Sequence, residues 1–60
     1  MNIVKNSELR MFYMYYVLYN FRPGTSLERI VEELHSQSMF VNEEELQKVL
    51  TNLVEDELWS

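Results

Sequence analysis

The chain contains no cysteine. This rules out disulfides and thiolate metal sites, and it argues against a small secreted domain, which at this size normally needs such staples. It has one glycine, Gly24, so no glycine-rich phosphate loop can be drawn. Basic residues are scarce: five Lys and Arg stand against ten Asp and Glu, for a net charge of −5. No long hydrophobic run occurs. The longest stretch without a charge is Met11 to Phe21, flanked by Arg10 and Arg22. It has about half of the roughly 20 residues that a membrane-spanning helix needs. It therefore reads as a buried or partner-facing helix, and no membrane association is expected. The opening Met-Asn-Ile-Val-Lys-Asn lacks signal-peptide architecture. A cytoplasmic protein is expected. Sixty residues make one domain, 1–60, with a thin stability margin, because such a chain buries only about 60% of its unfolded surface.

What is present is helical patterning. Asn42 can cap a helix, and Glu45 is placed to reach back to the cap's own N–H as a capping box. Val41 before the cap and Leu46 after it have the spacing of a hydrophobic staple. Glu43, Glu44 and Glu45 put negative charge at the positive end of the helix dipole. Leu46, Val49, Leu50, Leu53 and Val54 then recur at three- and four-residue steps, one apolar stripe. A helix over about 43–57 follows. The preceding one, about 26–36, has Leu27, Ile30, Val31 and Leu34 as its stripe, with Thr25 and Glu28 fitting a capping box. Pro23-Gly24 breaks any earlier helix.

The first helix is expected over about 7–21, capped by Ser7 or Asn6 with Glu8 near its start. It is apolar almost all round. A helical wheel splits it into Met11, Met14, Val17, Leu18 and Phe21 on one face and Leu9, Phe12, Tyr13, Tyr16 and Tyr19 on the other. Two readings stand. Either this helix is central in the bundle, or its aromatic face meets another protein, a role for which tyrosine is suited. FYMYYVLY is also rich in strand-favouring residues, but its length, the Ser7 cap and the methionines favour helix. Ile3 and Val4 could pair with Met39 to Val41 as a minimal strand contact.

The spacing T-S-L-x-x-I-V-x-x-L, followed by V-N-x-x-x-L-x-x-V-L-x-x-L-V-x-D-x-L, resembles the second and third helices of a winged-helix domain over residues 25–59. The resemblance implies an all-α, compact three-helix domain with a helix-turn-helix arrangement, a truncated winged helix. Glu57 stands where that family usually has Gly, and the expectation is that the wing is absent, since the sequence reaches Ser60 without it.

Charge bears on function. Residues 1–24 carry Lys5, Arg10 and Arg22 against Glu8, a net +2. Residues 25–60 carry Arg29 and Lys48 against nine acids, a net −7. Duplex binding draws its affinity from Lys and Arg on phosphates, so an acidic helix-turn-helix half would repel nucleic acid. A DNA-binding transcription regulator is the alternative, and it needs a dimer presenting Lys5, Arg10, Arg22, Arg29 and Lys48 on one side.

Nothing here points to an enzyme. Glu32 and His35 form one Glu-x-x-His, whereas a di-iron bundle needs two copies and further carboxylates. Ser36, Ser38 and Thr51 have no nearby base. Neither a cofactor nor a metal is expected. The residues chosen as interface are Phe12, Tyr13, Tyr16 and Tyr19 on the first helix and Glu44, Glu55, Asp56 and Glu57 in the acidic half. The expected function is that of a small acidic protein-binding regulator or inhibitor, facing a basic surface of another protein or forming a homodimer through the first helix. Such regulators are frequent among bacteriophage and mobile-element products, and by that analogy a similar origin is expected.

Overall fold

A computed structural model describes residues 5–59. The domain is all-α, with α1 at Asn6–Asn20, α2 at Leu27–Ser36 and α3 at Glu43–Glu55. There is no strand among the described residues. Met39 to Val41 is irregular backbone, and the expected partners Ile3 and Val4 lie outside the described residues.

α3 is the central element. Its most extensive contacts are with α1, followed by α2. Leu46, Val49, Leu50 and Leu53 are buried along it, and α1 supplies Tyr13 and Val17 while α2 supplies Ile30 and Leu34. Each buried Leu, Ile or Val contributes about 1.5–3 kcal/mol relative to exposure. Val41 and Leu46 are both buried, as the staple requires. Three tertiary hydrogen bonds fix how α1 and α3 lie together. Arg10 Nη1 donates to Glu45 Oε2 at 2.9 Å, the Asn42 N–H donates to the Tyr13 hydroxyl at 2.9 Å, and Trp59 Nε1 donates to the Phe21 carbonyl at 3.3 Å. The start of α3 is thus tied to the first half of α1, and the segment after α3 to the residue after α1.

Helix starts differ from the sequence reading in three places. α1 begins one residue earlier than a cap at Asn6, and two earlier than a cap at Ser7, would start it: Lys5 holds the cap position and makes no side-chain cap bond. α2 is capped by Ser26, whose Oγ accepts from the Arg29 N–H at 3.2 Å. Thr25 is used otherwise, since its hydroxyl donates to the Arg22 carbonyl at 2.6 Å and closes the linker turn in which Gly24 has φ +90°. With Ser26 as cap, Arg29 rather than Glu28 occupies the third helical position, so the box does not form. Asn42 does cap α3, accepting from the Glu45 N–H at 3.3 Å. Its own N–H is taken by Tyr13, and Glu45 turns to Arg10. Only half of the expected box is made.

Helix ends are alike. After α2, the Ser38 N–H donates to His35 and the Met39 N–H to Leu34, and Ser38 has φ +60°. After α3, the Glu57 N–H donates to Val54 and the Leu58 N–H to Leu53, and Glu57 has φ +57°. Both are Schellman motifs, with a residue other than glycine in the left-handed position. Glu57 therefore adopts the conformation that glycine provides without strain.

Candidate functional site

α1 is apolar on more sides than the core uses. Tyr13 and Val17 point inward, with Leu9, Met14, Tyr16 and Leu18 partly buried beside them. The buried seam therefore runs between the two faces drawn from the wheel and takes residues from both. Opposite it, Met11, Phe12, Tyr15 and Tyr19 remain 56%, 42%, 49% and 81% exposed. At helical spacing these four fall within an arc of about 100°. Their rings are ordered in i, i+4 pairs: Tyr15 and Tyr19 stack with centroids 6.2 Å apart and planes 16° apart, and Phe12 and Tyr16 at 5.9 Å and 22°.

This revises the expected interface. Tyr13 is a core residue, 2% exposed, whose hydroxyl accepts a backbone hydrogen bond. Its hydroxyl explains why a tyrosine rather than a phenylalanine can sit there. Tyr16 is half-buried and its hydroxyl accepts from Gln37 Nε2 at 3.1 Å. Phe12 and Tyr19 are exposed as expected. Met11 and Tyr15 were not among the expected interface residues. The signal that finds them is the step Met11–Tyr15–Tyr19, which is regular at four residues.

Glu44, Glu55, Asp56 and Glu57 are all exposed, as are Glu28, Glu32 and Glu43. Glu45 is different. It is 6% exposed, paired with Arg10 at 2.9 Å and with Lys48 at 3.5 Å. The Arg10 hydrogen bond holds its carboxyl below the usual glutamate value of 4.5; burial opposes this and Lys48 assists it. Two of the five cations thus pair with one carboxylate. For a duplex this leaves Lys5, Arg22 and Arg29, all exposed.

Two open grooves flank α1. One, of about 240 Å³, lies against α3 and is lined by Met11, Met14, Val49, Leu53 and Leu58, with Arg10 and Asp56 among its polar members. The other, of about 410 Å³, is polar and lies against α2, between Tyr16, Arg22, Arg29 and Gln37. His35 is exposed on α2 and lines neither. Among the described residues no group of three or more His, Cys, Asp or Glu could hold a metal ion, and no helix is long and apolar enough to cross a membrane. No protein-family model, curated protein or solved structure was found to match the chain.

Proposed function

We propose that the chain is a small acidic regulator or inhibitor that works by binding another protein, with its acidic half against a basic surface. The observation that carries this is the distribution of free charge. Beyond residue 24, seven carboxylates are exposed, and of the two cations in that half Lys48 leans on Glu45, while Arg29 makes no ion pair among the described residues. Such a surface steers toward Lys- and Arg-rich partners and away from phosphates. A basic surface that otherwise takes nucleic acid fits best, which makes inhibition by occupancy the natural mode. On this reading the winged-helix-like spacing of α2 and α3 belongs to a scaffold used for protein contacts, since fold and function separate freely.

The test is site-specific photo-crosslinking in the native host, with the probe at Glu55 and, separately, at Glu44. A captured protein with a basic patch, released by salt, is the expected result. Tight duplex binding by the purified chain, with a steep salt dependence, would replace this reading with the transcription-regulator one.

A further inference from the structure

We propose that a second copy of this chain packs on the outer stripe of α1, antiparallel and centred on Tyr15. The inference goes beyond the basic partner and does not depend on it, because it uses a different surface.

The area is the first argument. Taking roughly 200 Å² for a fully exposed large side chain, Met11, Phe12, Tyr15, Tyr19 and the neighbouring Leu58, itself 59% exposed, leave on the order of 550 Å² uncovered. Met11 and Leu58 border the same groove, so the patch is continuous. Two copies would bury about 1,100 Å², the low end for a specific interface. The stripe is ordered in advance by its ring pairs, which lowers the entropy lost on binding.

The second argument is charge. Two chains of −5 repel, and contact through α2 or α3 would set carboxylates against carboxylates. α1 carries only Glu8 and Arg10, and Arg10 is turned to Glu45. It is the helix on which two copies meet with the least like charge, Asp56 beside Leu58 being the acid at the border of the patch.

The third argument fixes the register. A two-fold contact is self-complementary. With Tyr15 on the axis, residues equidistant from it meet, so Met11 of one copy faces Tyr19 of the other. Glu8 lies seven residues before Tyr15 and is exposed, whereas the helix runs only five residues past Tyr15, to Asn20. In this register the two Glu8 carboxylates lie at opposite ends of the contact. A parallel pairing would set Glu8 beside Glu8.

Sedimentation equilibrium over a wide concentration range tests the dimer. The expected result is reversible association in the micromolar range, weakened at least 100-fold by Tyr15→Lys or Tyr19→Lys and unchanged by Val54→Lys. Val54 is equally exposed and apolar but lies on α3 beside Gly24 and Leu27. Circular dichroism checks that each variant folds. Because the chain has no cysteine, the register has its own readout. Tyr15→Cys should oxidise to a linked dimer, and Tyr19→Cys should not. A monomer at every concentration, or a dimer indifferent to the lysine at Tyr15, overturns the proposal. Crosslinking through Tyr19→Cys in preference to Tyr15→Cys overturns the antiparallel register.

Discussion

Glycine at Glu57 should make this protein more stable, although glycine usually weakens a chain. Glu57 sits at φ +57°, one residue past the cap of α3. A side chain in that region costs roughly 1–2 kcal/mol because its Cβ crowds the following carbonyl. Glycine removes that cost and adds back about 0.5–1 kcal/mol of unfolded-state entropy. The net gain from the backbone is about 0.5–1 kcal/mol. Removing a carboxylate from the negative end of the helix adds about 0.3 kcal/mol. Near the transition midpoint, 1 kcal/mol corresponds to about 4–8 °C in a domain of this size, so Glu57→Gly should raise Tm by roughly 3–10 °C. Ser38→Gly repeats the experiment at φ +60° with no change of charge and should give the backbone part alone. The two sites end different helices, so their effects should add. Glu57→Gln separates the terms, since it keeps the side chain and recovers only the dipole contribution. Thermal unfolding followed through Trp59, the sole tryptophan, measures the three variants and the Ser38→Gly, Glu57→Gly double variant. If Ser38→Gly is neutral or destabilising while Glu57→Gln matches Glu57→Gly, the backbone argument is wrong and charge alone explains the gain.

Other substitutions follow from the contacts. Tyr13→Phe keeps the ring but strands the Asn42 N–H and should cost about 1–2 kcal/mol in urea unfolding. Trp59→Ala removes a nearly buried indole and its bond to the Phe21 carbonyl, and should cost about 3–5 kcal/mol, seen as loss of the cooperative thermal transition at a lower temperature. Glu45 has its carboxyl lowered in the folded state, mainly by Arg10. The stability it contributes is therefore present above the ordinary glutamate value of 4.5 and is lost as pH falls through and below it. Urea titrations across that window should show the acid loss diminished in Glu45→Gln.

The stripes of α2 and α3 were legible because each has one apolar side, so the wheel can point in only one direction. The Asn42 cap was legible because its geometry is local. α1 was not, since with apolar side chains nearly all round its buried arc is chosen by what packs on it, and only the position of α3 decides that Tyr13 goes in and Tyr15 stays out. Thr25 and Ser26 are both good caps, and the choice between them depends on the turn at Gly24. The pairing of Glu45 with Arg10 spans 35 residues, and nothing in either neighbourhood announces it. Of the candidate site, Phe12, Tyr19 and the exposed acids could be found from sequence. Met11 and Tyr15 needed the structure to show which arc was free.

The pairing of α1 with α3, across the intervening α2, has a kinetic consequence. Its tertiary hydrogen bonds join residues 29, 35 and 38 positions apart. Bringing together the ends of a segment near 30 residues costs about 3 kcal/mol of chain entropy before the first such contact forms. An up-and-down bundle, in which each helix folds back on the one before it, meets no such barrier. This domain should therefore fold toward the slow end of the range for small helical proteins, with α1 and α3 docking as the rate-limiting event and α2 captured afterwards. In a chevron analysis, Val17→Ala and Leu53→Ala should slow refolding, while Ile30→Ala should mainly hasten unfolding. A faster refolding limb with Ile30 in the nucleus would mean that α2 and α3 form first.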